Sequence, residues 1–145
     1  MGMIELASWK SLNRGIAYYQ DHSVLSFEKT GKYTYEGKVQ GTREEPYHVH
    51  IDIDHPRRSV CDCAFAQGRH VVCKHMIALY FTVFPKELER LWKEQEEWEE
   101  EAERLEEEHR EELKDYVYGL SKAELRERLL DALMELENTY KGRYW

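Results

Sequence analysis

No stretch of the 145 residues holds about 18 consecutive apolar side chains, so none reads as a membrane span. The longest apolar run, Met76 to Phe84, is too short to cross a bilayer and reads as a buried element. Three cysteines, an odd number, exclude a complete disulfide framework, and Cys61 and Cys63 are too close in sequence to bridge comfortably. The start of the chain lacks the basic-then-apolar pattern of a secretion signal. A reduced, cytoplasmic protein with thiols free to hold metal is the expectation. Cys-x-x-Cys, the usual oxidoreductase spacing, is absent.

What the chain has in excess is charge, unevenly placed. Residues 1–85 carry ten Lys and Arg against nine Asp and Glu, and residues 86–145 carry eleven against twenty. The two parts are formally +1 and −9 within a net charge of −8, and they mark two regions of different character. We therefore divide the chain into residues 1–85 and an acidic appendage, 86–145.

In the first region the hydrophobic period changes twice. Ser8 is placed to cap a helix in which Trp9, Leu12, Ile16 and Tyr19 recur at helical spacing, ending near Asp21 to Ser23. Val24 to Phe27, then Tyr33 and Tyr35 up to Gly37, read as strands. Tyr47, Val49, Ile51 and Ile53 alternate with His48, His50, Asp52 and Asp54 in the clearest strand of the sequence. An antiparallel meander of three or four strands follows, turning at Gly31, Gly41 and His55-Pro56. The run from Met76 reads as a short helix against the sheet, with a strand as the alternative. Pro85 suits the first turn of another helix.

In the second region, Lys86 to Tyr118 predicts one long helix. Leu88, Leu91, Trp98, Ala102, Leu105 and Leu113 form a narrow apolar stripe, and glutamate fills most of the rest. Glu100 with Arg104, and Glu106 with Arg110, are favourable four-residue pairs. Gly119 interrupts the helix, and Ser121 to Glu124 has the form of a capping box. A last helix carries Leu125, Leu129, Leu133, Leu136 and Tyr140 on one face to Gly142. Two such helices joined by a short Gly-containing turn are expected to pack as a hairpin.

The chemistry is concentrated in residues 61–75. Cys61, Cys63, Cys73 and His75 are thiolate and imidazole donors, which zinc takes in a tetrahedron. Cys61 and Cys63, two apart at a strand end, put both sulfurs on one face. Cys73 and His75 have the same spacing, which in a helix separates them by about 200°, so they belong just before or across the first turn of the Met76 helix. The nine intervening residues, Ala64 to Val72, suffice for a loop back to the metal. Three buried thiols and an incidental histidine are the plainer alternative, but all three cysteines fall within thirteen residues beside a correctly spaced histidine. His48 and His50 share a polar strand face and read as surface histidines rather than a second metal site.

Cys61-Asp62-Cys63, nine residues, then Cys73-Lys74-His75 running into Met76-Ile77-Ala78-Leu79 resembles the Cys-x-Cys…Cys-x-His signature of the SWIM zinc-finger family. Arg14-Gly15, Tyr18-Tyr19, Val39 to Thr42 and Tyr47 to Val49 are similar to the lead-in of its bacterial members. The likeness covers about residues 8 to 84. Ala64 departs from the proline many members carry after the second cysteine, which affects loop rigidity and not ligation. The resemblance implies a zinc-binding module that contacts DNA or a protein partner, a helicase-like ATPase among the latter, since such domains occur beside helicase-like ATPases and in transposase-related and recombination-associated proteins. No Walker A motif accompanies it here.

With four protein ligands the zinc has no open position for water, and the deaminase signature His-x-Glu with Pro-Cys-x-x-Cys is missing. The expectation is no enzyme, no catalytic residue and no small-molecule substrate. Arg57, Arg58, Arg69, His70 and Lys74 surround the ligands in sequence and are the candidate phosphate contacts. Against DNA stands the acidity of the whole chain, which leaves a protein-interaction adaptor as the alternative. The fold expected is α+β: a small antiparallel sheet with flanking helices and the zinc finger, then an acidic helical hairpin.

Overall fold

A computed structural model describes residues 2–142. The element order is α1 (Met3–Leu6), α2 (Trp9–Gln20), β1 (Val24–Lys29), β2 (Thr34–Val39), β3 (Tyr47–Asp52), β4 (Val60–Cys61), α3 (Lys74–Val83), α4 (Pro85–Tyr118) and α5 (Lys122–Gly142), with a 3-10 turn at Pro56–Arg58 before β4. The chain is α+β and divides into two compact units, Met1–Lys93 and Glu94–Trp145.

In the first unit the four strands form one antiparallel sheet in the order β1-β2-β3-β4. The alternation along β3 decides which face is covered: Val49 and Ile51 are buried while His48 is exposed. Cys61 of β4 pairs with Val49, which carries its sulfur to the covered face. Gly37 lies inside β2, where a Cβ would stand 2.8 Å from the Leu79 side chain.

The cover is α3. Six of its ten residues are buried, His75, Met76, Ile77, Ala78, Leu79 and Phe81, so the Met76 run is a helix at the centre of the core and not a strand. Helix α2 starts on Ser8, whose Oγ accepts from the Ser11 amide at 3.1 Å, and it packs against α3. Gly15 makes that approach possible: a Cβ there would lie 2.4 Å from Ile77 and 2.9 Å from the Lys74 carbonyl. Short α1, which the sequence reading missed, closes the core with Met3. Leu88, on the first turns of α4, is buried as well.

In the second unit both helices stand where their periods place them. The capping box is formed: the Ser121 amide donates to Glu124 Oε2 at 2.7 Å, and the Glu124 amide donates to Ser121 Oγ at 3.2 Å. Arg104 pairs with Glu101 of the preceding turn. The apolar seam expected between the two helices is not formed. Trp98 is 73% exposed and Leu129 61%, and among described residues from 94 onward only Leu120 is even half-buried. Flanks this rich in glutamate repel one another at neutral pH, and a thin stripe offers little area against that.

Candidate metal centre

Cys61 ends β4, and the chain turns at once: the amides of Ala66 and Gln67 both donate to the Cys63 carbonyl. Cys73 then caps α3 in extended conformation, and His75 is its second residue. The pair spans the first turn of the helix, which resolves the angular conflict of a two-residue spacing. All four side chains are buried.

Their ligand atoms lie within 4.8 Å of one another. His75 Nδ1 is 3.7 Å from Cys61 Sγ and 3.9 Å from Cys73 Sγ. A tetrahedron with zinc–sulfur bonds of about 2.3 Å and zinc–nitrogen bonds of about 2.0–2.1 Å has sulfur–nitrogen edges of about 3.6 Å. The cluster therefore fits a tetrahedral metal ion, with Nδ1 as the nitrogen facing the sulfurs. Among the thiols the ionisation falls on Cys73. The Cys61 thiol donates to it and holds it down to about 4, against its own burial and with help from His75. That same bond to Cys73, with burial, pushes Cys61 up, and burial pushes up Cys63. A metal would draw all three into the thiolate form. No other group of three or more metal-ligating side chains comes together among the described residues. His50 instead faces Glu36 across the sheet, 3.4 Å away.

The residues that hold the ligands in place come from outside the motif. Tyr47 stacks on His75 and Tyr18 meets it edge-on, ring centroids 4.2 and 5.3 Å away. The outer nitrogen of His75, Nε2, is buried without a hydrogen-bond partner among the described residues, so on that side of the imidazole ring packing sets the orientation. Arg43 lies over the Tyr47 ring, 4.0 Å from its centroid, and donates to Asp62 Oδ2 at 2.9 Å. Asp62, between the first two cysteines, also accepts from the His48 amide at 3.0 Å. Burial alone would raise its pKa, but the bonds from Arg43 and His48 hold it below the ordinary carboxylate range.

The five basic candidates do not stay together. Arg57, Arg58, Arg69 and His70 line one cleft of about 560 Å³ beside Cys61, and His48 joins them. His70 Nδ1 donates to the Arg57 carbonyl at 3.1 Å, tying the metal loop to the 3-10 turn. Lys74 lies elsewhere, over the Tyr18 ring, in a second cavity shared with Lys10 and Arg14 of α2. Those two were not anticipated, because only the packing of α2 on α3 brings residues so distant in sequence to the ligands.

Sheet, loop and helix start thus converge, among the described residues, on one buried Cys3His cluster. The family model of the SWIM zinc finger matches residues 47–84, and the chain carries a SWIM zinc finger over that span. No curated protein and no solved structure matches the chain. No helix among the described residues is long and apolar enough to cross a membrane.

Proposed function

We propose that the finger holds one zinc ion as a structural cross-link through Cys61, Cys63, Cys73 and His75, and that it binds DNA through the cleft beside Cys61. The observation that carries the DNA reading is the meeting of Arg57 and Arg58, from the 3-10 turn, with Arg69 and His70, from the metal loop, on one cleft. Arg57, Arg58 and Arg69 have exposed side chains, available to phosphates. Bound zinc would supply charge neutralisation of the thiolates and closure of the loop. Four protein donors would fill its coordination, so the module acts by binding and not by catalysis.

Salt-dependent binding of zinc-loaded protein to DNA tests this. Arg57→Glu, Arg58→Glu and Arg69→Glu together should weaken binding and flatten its salt slope while zinc content stays at one per chain. Wild-type protein that binds no DNA at low salt ends the reading. Cys63→Ser or His75→Ala should release the metal and disorder residues 57–80 while α5 stays helical.

A second reading, an adaptor that docks a protein, is favoured by the exposed leucines and Trp98 on the two acidic helices. It is distinguished by little DNA binding at moderate salt, with Arg57, Arg58 and Arg69 dispensable.

A further inference from the structure

The loop Ala64–Val72 is the wall between two basic cavities. On one side is the cleft of Arg57, Arg58 and Arg69. On the other, Lys10 and Arg14 from α2 and Lys74 from α3 line a cavity of about 350 Å³. Three thiolates on a divalent zinc leave one negative charge, and six cationic side chains far exceed what that charge needs.

Phe65 stands on the wall itself. It lines the second cavity, yet Arg69 of the first lies over its ring, 5.1 Å from the centroid, and donates to the Phe65 carbonyl. The side chain is outside the core, 47% exposed. An exposed ring beside basic cavities is an arrangement on which unpaired bases stack. A duplex hides its base faces and is read in the grooves by an inserted helix or ribbon. Here α3, the helix that begins at the metal centre, is core for most of its length and offers no groove-reading face.

We propose that the finger takes single-stranded DNA, with the sugar–phosphate backbone running from one basic cavity to the other across the loop and a base stacked on Phe65. This rests on the DNA reading above and narrows its substrate.

The test uses the zinc-loaded full chain with a mixed-sequence deoxyoligonucleotide, single-stranded and as a duplex of equal length, over a salt series. The single strand should bind more tightly. Phe65→Ala should lower single-strand affinity about tenfold and leave duplex affinity and the single-strand salt slope unchanged, because a stacking contact releases no counterion. Phe65→Trp should bind at least as well as wild type. Lys10→Glu with Arg14→Glu should reduce the salt slope, and Phe27→Ala, an exposed ring at the far sheet edge, should change nothing. Zinc content is read for each variant, and Phe65→Trp carries the test if Phe65→Ala loses metal. Equal affinity for both DNA forms, unchanged binding by Phe65→Ala, or weakened binding by Phe65→Trp overturns the stacking proposal. In those cases the broader DNA reading survives if the Arg57, Arg58 and Arg69 variant still loses binding. Wild-type protein that binds neither form overturns both.

Discussion

Tyr47 lies nearly flat on His75, with 25° between the ring planes. Because His75 Nε2 has no hydrogen-bond partner, this contact and the edge of Tyr18 fix where Nδ1 points. Residues that orient a metal-bound histidine typically matter about 10- to 100-fold in metal affinity. Tyr47→Ala should therefore weaken zinc retention about tenfold in chelator competition, while Tyr47→Phe, which keeps the ring, retains it. Equal retention by Tyr47→Ala would show that the cysteines alone place the imidazole.

The contact of α2 with α3 is set by the missing side chain at Gly15. A Cβ there would stand 2.4 Å from both Ile77 Cβ and Cγ2 and 2.9 Å from the Lys74 carbonyl, which is backbone. Gly15→Ala should destabilise the first unit by about 1–3 kcal/mol, as overpacking of a full core does, despite the better helix propensity of alanine. Denaturant unfolding with zinc saturating is the measurement, and a stabilised variant would mean the helices separate freely.

Acid should loosen the start of α5. The Ser121 amide, and then its hydroxyl, hold the Glu124 carboxyl below its ordinary value. A depressed carboxylate stabilises the folded helix above its unfolded pKa and loses that effect as pH falls through the folded one. In an NMR titration Glu124 should protonate below the ordinary glutamate range, and Glu124→Gln should remove the acid-dependent fraying at Ser121. Titration of Glu124 within the ordinary glutamate range would show the capping box to be open in solution.

With Trp98 exposed, Leu129→Asp and Leu133→Asp should leave its fluorescence unchanged in a variant that keeps Trp98 as its only tryptophan. Water-exposed emission in both proteins is the expected result. A red shift on substitution would show that the helices do pack on one another.

The part of the site that was legible in the sequence is the part built locally. Cys61, Cys63, Cys73 and His75 lie within fifteen residues, and a two-residue spacing at a strand end or a helix start has few geometric solutions. Tyr47, Arg43, Lys10 and Arg14 were not legible as site residues, since strand register and the α2–α3 crossing decide which of their neighbours they meet. The strands were readable where one face is buried, as at Val49 and Ile51, and less so at β1, which is exposed for most of its length. The stripe of Leu125, Leu129 and Leu133 shows why period alone misleads about pairing. It specifies that a helix has an apolar side, not what covers it.

Helix α3 carries Cys73 as its cap and His75 in its first turn and continues as the centre of the core, so two of the four ligands are fixed by the helix that also fills the hydrophobic interior. With zinc bound as proposed, its concentration would act on the finger as denaturant concentration does on other domains, with the opposite sign. Once free zinc is well above its dissociation constant, each tenfold rise adds about 1.4 kcal/mol to folding stability. The width of the unfolding transition along a zinc series, read on a logarithmic axis, would count the ions that fold the domain.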